Sequence, residues 1–122
     1  VPEVVNVLLA DDEARVRELI RELLETDTRF RVIAAVGSAA DAAQAASQHR
    51  PELAIVDVRM PGGGVAAVRA IRSVSPGTVV VACSSYDDRH TRDSMHAAGA
   101  LAYVLKGTDD VLDVALGVLG LS

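Results

Sequence analysis

Tryptophan is absent, and Phe30, Tyr86 and Tyr103 are the whole aromatic complement of the 122 residues, so no core can be built around a few large rings. A single cysteine, Cys83, excludes a disulfide framework and a zinc cluster, and fits a reducing, cytoplasmic setting. No run approaches the roughly 18 to 20 uncharged apolar residues that cross a bilayer, and the first residues form no basic-then-apolar leader, so no membrane attachment is expected. Basic residues are outnumbered 12 to 17, for a net charge of −5, and they are interleaved with the acids. With no basic stripe for phosphates to follow, direct DNA or RNA binding by this segment is not expected. Lysine is the scarcest charge of all. Eleven of the twelve basic residues are arginine and Lys106 is the only lysine, a habit broken once and in need of a local reason.

What is present is a single domain's worth of apolar residue, half of the chain, most of it Ala and Val. Small side chains suit closely spaced layers, such as helices lying on a sheet. Val4 to Ala10 is an apolar run broken only by Asn6, after which Val16, Leu19, Ile20, Leu23 and Leu24 recur at helical spacing with charges filling the opposite face, the pattern of a strand and then an amphipathic helix with these five inward. Phe30 to Val36 reads as a second strand. Ser38 with Asp41 three residues on resembles a capping box before an Ala-rich helix that runs to about His49 and stops at Pro51. Leu53 to Asp57 is apolar enough for a strand covered on both faces, as in a parallel sheet. Pro61 and three glycines lead into a helix with Val65, Val68 and Ile71 inward, closed by Ser75-Pro76-Gly77. Val79 to Cys83 is the fourth strand. A fourth helix, about Asp87 to Ala98, has little besides Met95 to hold it to the body. Leu101 to Leu105 is the fifth strand, and a last helix follows over Asp109 to Leu119.

Five strands alternating with five helices predict an α/β, doubly wound parallel sheet with helices on both faces. In such sheets ligands sit beyond the carboxyl ends of the strands, where the strand order reverses. The polar residues fall at that edge: Asp11 and Asp12 after strand one, Asp57 at the end of strand three, Ser84 and Ser85 after strand four, Lys106 after strand five. Three crowded carboxylates repel unless a cation joins them. An oxygen-only donor set matches Mg²⁺. A hydroxyl and an ammonium facing that metal suit a phosphoryl group, whose charge spreads over three oxygens.

Taken singly, each of these has a plain structural reading. An Asp pair after a strand caps helices, Asp57 can merely end a strand, Ser84 can cap a turn, and Lys106 can be a solvated charge. Their joint placement at one edge is what points to a site. Cys83 reads as core filling. His49, His90 and His96 share no ligand spacing, and Gly62 to Gly64 do not follow a dinucleotide-binding pattern.

The acidic pair in LLADDE, the aspartate in LAIVDVRMPG, the hydroxyl in VVVACSSYDD and the lysine in AAGALAYVLKG resemble, in order and spacing, the receiver domain of two-component response regulators. The resemblance spans essentially the whole chain and is nearest to receivers that precede helix-turn-helix transcription factors. It implies a flavodoxin-like fold with strand order 2-1-3-4-5. It further implies a phosphorylation-controlled switch and not a turnover enzyme, one that catalyses only its own phosphorylation and slow hydrolysis. Asp57 would be the nucleophile toward a phosphohistidine of a sensor histidine kinase or a small acyl phosphate. Asp12, Asp57 and the backbone carbonyl of Arg59 would bind Mg²⁺, with Asp11 holding it through water. Lys106 would grip a phosphate oxygen, a point-charge contact that a planar guanidinium does not reproduce. Ser84 would bond another oxygen, and Tyr103 would swing inward, changing the surface of helix four, strand five and helix five. Arg59 and Tyr86 flank the pocket and would tune water access.

Three departures from the usual pattern stand out. The loop Pro61 to Val65 is one residue shorter or reshaped and lacks the usual acid, Gly107 replaces the proline common after the lysine, and the switch hydroxyl is serine. None removes a group the chemistry needs. Two rival functions are an aspartyl-phosphate phosphohydrolase, which would carry a second aspartate where Arg59 stands, and a receiver-like dimerisation module without phosphorylation. On the last helix Val111, Leu112, Ala115, Val118 and Leu119 can face the sheet, leaving Val114, Leu116 and Leu121 toward water. Such a patch predicts a homodimer through helices four and five or a C-terminal output domain. Residues 1–122, starting without methionine and stopping after helix five, read as a receiver domain excised from a longer regulator.

Overall fold

The computed structural model describes residues 4–121. Ten elements alternate strictly: β1 (Val5–Ala10), α1 (Ala14–Glu25), β2 (Phe30–Val36), α2 (Ala39–His49), β3 (Leu53–Asp57), α3 (Gly64–Val74), β4 (Val79–Ser84), α4 (Arg89–Ala98), β5 (Ala102–Leu105) and α5 (Val111–Leu119). The strands form one sheet in the order β2-β1-β3-β4-β5, and every pairing is parallel. Both the alternation and the order agree with the reading above. The order reverses at β1, whose neighbours are β2 on one side and β3 on the other.

Strand alternation sorts the core into two clusters. Val5, Val7 and Leu9 of β1, with Leu53, Ile55, Val81, Cys83 and Val104, face α1 and α5. Leu8 and Ala10, with Ala54, Val56, Val80 and Ala82, face α2, α3 and α4. On this second face α2 buries only alanines, Ala39, Ala42, Ala45 and Ala46. The small side chains let the helix lie close to the sheet, as the composition requires.

The helix starts follow the side chains available. Ser38 Oγ accepts the Asp41 N–H at 3.2 Å, Asp88 Oδ1 accepts that of Thr91 at 2.8 Å, and Asp110 Oδ1 accepts that of Leu112 at 3.0 Å. Helix α4 therefore begins after Asp88, two residues later than expected, and buries Met95 alone.

Two apolar surfaces differ from expectation. Helix α1 turns Ile20 and Leu24 onto the sheet, while Leu19 and Leu23 are 57% and 44% exposed. Helix α5 does the reverse. Val114, Leu116 and Leu121, expected to face water, are half-buried against the α1-side core. After Leu119 the chain folds back at Gly120, and the Leu121 N–H reaches the Leu116 carbonyl at 2.8 Å. This Schellman-type turn brings the residue beyond the glycine back toward the last helical turn, and Leu116 and Leu121 both pack against the α1-side core. No described residue of α5 is among the strongly exposed large apolar side chains, which are Val4, Leu19, Leu23, Tyr86 and Leu101.

Candidate functional site

The site is an extension of the strand ladder. Beyond the regular pairings, the Asp11 N–H reaches Val36 O at 2.9 Å, the Val58 N–H reaches Cys83 O at 3.1 Å, and the Lys106 N–H reaches Ser84 O at 2.8 Å. Each backbone bond fixes the residue just past a strand's carboxyl end, so four separate segments deliver their polar side chains to one edge. Asp57 and Ser84 lie in adjacent strands, Asp57 opposite Cys83.

Asp11, Asp57 and Ser84 are buried and Asp12 is exposed. One carboxylate oxygen from each of Asp11, Asp12 and Asp57 lies within 4.8 Å of the others. The cation that offsets them within the chain is Lys106, whose Nζ donates to Asp11 Oδ2 at 2.7 Å and to Asp57 Oδ1 at 3.1 Å. Burial pushes the Asp57 carboxyl above its ordinary range. The Lys106 bond and charge oppose that shift, and the neighbouring Asp11 charge adds to it. For Lys106, burial favours the neutral amine, but its bonds to Asp11 and Asp57 outweigh that and the ammonium is held above its ordinary range. The capping alternative for the acidic pair does not apply: the N-cap of α1 is Glu13, which makes no side-chain capping bond, and Asp11 Oδ1 instead accepts the Glu13 N–H at 2.9 Å.

A cleft of about 240 Å³ opens over these groups, lined by Asp12, Glu13, Asp57, Arg59, Ser84, Ser85, Tyr86 and Lys106. Arg59 stacks its guanidinium 4.0 Å from the centre of the Tyr86 ring, which forms one wall. Ser84 Oγ accepts the Tyr86 N–H at 3.0 Å. Tyr103 is half-buried against the α3 and α4 side of the core, and its hydroxyl donates to the Tyr86 carbonyl at 2.7 Å. All eight positions singled out in the sequence, Asp11, Asp12, Asp57, Arg59, Ser84, Tyr86, Tyr103 and Lys106, are thus brought to this edge or bonded to it. Cys83 is buried beside it, and burial pushes its thiol up to about 12, in keeping with a core role.

Two contributors carry no mark in the sequence, and a third, the glycine loop, shows there only as a departure from the usual pattern. Arg17 of α1 donates from Nη1 to the Asp11 carbonyl at 2.7 Å and so grips the backbone of the acidic pair. Glu13 adds a fourth acid to the rim. The glycine loop is anchored to α2, with the Ala39 N–H on Pro61 O at 2.9 Å. Gly62 sits there at φ +87°, and a Cβ on it would stand 2.7 Å from that of Ala39. Gly107, at φ +80°, adopts a conformation closed to the proline it replaces.

The sequence profile of the response regulator receiver domain matches residues 7–115. The chain belongs to that family. Among curated relatives, this receiver is 37% identical over 84% of its length to a protein-glutamate methylesterase/protein-glutamine glutaminase of Paramagnetospirillum magneticum, of which it covers 30%. It is 31% identical over 86% of its length to the oxygen regulatory protein NreC of Staphylococcus epidermidis, covering 49% of that protein. The chain therefore spans half or less of the length of these relatives. The receiver of the response regulator NarL from Mycobacterium tuberculosis superposes with a TM-score of 0.90 at 27% identity, covering 98% of both chains. Two-component response regulators of the LuxR family are also among the structural neighbours, one from Aurantimonas at TM-score 0.86 and 27% identity over 97% of this chain and 85% of the other. The flavodoxin-like fold and the receiver identity expected from the sequence both hold. Among the described residues no helix is long and apolar enough to cross a membrane.

Proposed function

We propose that this receiver takes a phosphoryl group onto Asp57 from a phosphohistidine of a sensor histidine kinase, and so controls an output domain or partner. The carrying observation is the single lysine shared between two buried carboxylates at the reversal point of the sheet. An Asp57 oxygen forms the new P–O bond as the donor's P–N bond breaks, its electron pair leaving on the imidazole, which takes up a proton. Lys106, released from part of its carboxylate pairing, meets a phosphate oxygen, and the Ser84 hydroxyl donates to another. Arg59 and Tyr86 wall the cleft and limit the approach of water to the product.

The oxygen-only donor set fits Mg²⁺, with Asp12, Asp57 and the Arg59 carbonyl as ligands and Asp11 acting through water. Bound there, the ion would neutralise charge on the transferring group. Tyr103, bonded to the loop after Ser84, would carry the change to the α4–β5–α5 surface, where Leu101 is 59% exposed. Residues 1–122 act as one cytoplasmic receiver unit whose outlet is a homodimer through α4 and α5 or a C-terminal output domain. It is not a turnover enzyme: Arg59, stacked on Tyr86, stands where a phosphohydrolase would keep its second aspartate. Intact-mass measurement after incubation with acetyl phosphate and Mg²⁺ tests the proposal. One acid-labile phosphoryl group is expected on the wild type and none on Asp57→Ala. An unmodified wild type would leave a dimerisation module, and sustained hydrolysis of phosphate esters would favour the enzyme.

A further inference from the structure

A second arginine–tyrosine stack lines a separate pocket between α4 and β5. The Arg92 guanidinium of α4 lies 4.5 Å from the centre of the Tyr103 ring, while its Nε pairs with Asp87 in the β4–α4 loop. The same loop is held again through Tyr86. Its N–H donates to Ser84 Oγ at 3.0 Å and its carbonyl accepts the Tyr103 hydroxyl at 2.7 Å. Arg92, Tyr103, Tyr86 and Asp87 therefore close a ring of contacts around the segment that follows the Ser84 hydroxyl. Helix α4 buries only Met95, so burial fixes this segment weakly and the polar and cation–π contacts carry more of its placement.

We propose that Arg92 is a positioning residue: by clamping the Tyr103 ring and the Asp87 carboxylate together, it holds the β4–α4 loop, and with it Ser84 and Tyr86, in the arrangement that receives the phosphoryl group. The inference rests on the phosphoacceptor reading of Asp57. The clamp acts on the loop and on no group of the acidic cluster, so it bears on the transfer rate and not on cation binding. Arginine suits the task because one planar group meets an aromatic face and a carboxylate at once. Lysine keeps the cation over the ring with less geometric constraint.

The test uses the whole chain and the variants Arg92→Gln, Arg92→Lys and Asp87→Asn. Asp57 phosphorylation rates are followed against acetyl phosphate concentration, Mg²⁺ binding is titrated without donor, and tyrosine fluorescence is quenched with acrylamide. With two tyrosines and no tryptophan, that fluorescence reads Tyr86 and Tyr103 alone. Arg92→Gln is expected to lower the maximal rate about fivefold, the loss of roughly one cation–π contact. The half-saturating donor concentration and Mg²⁺ affinity should stay unchanged and both rings should become more quenchable. Arg92→Lys should recover most of the rate, and Asp87→Asn should fall between. A wild-type or faster rate in Arg92→Gln, or a loss equally large in the lysine variant, overturns the inference. If the wild type takes no phosphoryl group, the proposed function fails first, and unchanged quenching in Arg92→Gln would then sink the clamp as well.

Discussion

Lys106 Nζ stands 2.7 Å from Asp11 Oδ2 although 95 positions separate the two residues. It reaches Asp57 as well, so a single ammonium serves a cluster of three carboxylates. Charge at this edge is unbalanced by design of the sequence, and the imbalance is what a divalent cation and a transferred phosphoryl group would meet.

Removing the lysine should expose that imbalance. Lys106→Ala is expected to lose about 2 kcal/mol, less than the roughly 3–5 kcal/mol of a fully buried pair because the lysine side chain is 18% exposed. Added Mg²⁺ should raise the melting temperature of the variant more than that of the wild type, since a cation that binds the folded state replaces the lost charge. Thermal melts with and without the ion check both statements. Equal Mg²⁺ shifts in the two proteins would count against the acids as its site.

Asp57 behaves oppositely. Burial raises its carboxyl above the ordinary value of 3.8, so the folded chain holds this proton more tightly than the unfolded one. Stability therefore falls as pH climbs from that ordinary value through the raised one, and stays lower above it. Asp57→Asn, which has no charge to bury, should melt at a higher temperature than the wild type at neutral pH. Well below pH 3.8, where both states of the wild type are protonated, the advantage should vanish. A pH series of melts decides the matter.

Gly62 supports the site from a distance. A methyl group there meets Ala39 Cβ at 2.7 Å and also demands an unfavourable backbone at φ +87°. Gly62→Ala should cost about 1–3 kcal/mol, whereas Gly63→Ala, at the same φ but with open space around it, should cost less. Chemical denaturation of the pair separates crowding from backbone strain.

Arg17 should matter to the acids without touching their side chains. With its bond to the Asp11 carbonyl removed, Arg17→Gln is expected to bind Mg²⁺ several-fold more weakly, in line with about 1 kcal/mol for such a hydrogen bond. Titration calorimetry gives the comparison. Affinity equal to wild type would assign Arg17 to helix packing alone.

Much of this site was legible because the chemistry falls where the pattern changes. Asp57 ends an apolar strand buried along its whole length, Asp11 and Asp12 follow β1, and Lys106 is the only lysine in the chain. Arg17 and Arg92 were not legible, because eleven arginines look alike until the fold brings two of them onto a carbonyl and a ring. The surfaces of α1 and α5 were misread for a related reason. Helical spacing marks an apolar stripe, yet it does not say that Ile20 and Leu24 take the sheet while Leu19 and Leu23 point away. Nor does it show that the turn at Gly120 brings Leu121 back toward Leu116. Those outcomes depend on how the neighbouring element ends, which periodicity does not encode.

The central claim is that one carboxylate, Asp57, accepts the phosphoryl group. Borohydride reduces an aspartyl phosphate to homoserine, so peptide sequencing by mass spectrometry after acetyl phosphate, Mg²⁺ and borohydride treatment marks the acceptor directly. Homoserine at position 57 and at no other aspartate is the result predicted here. Reduction at Asp11 or Asp12, or an unreduced chain under conditions that label a control receiver, would contradict it.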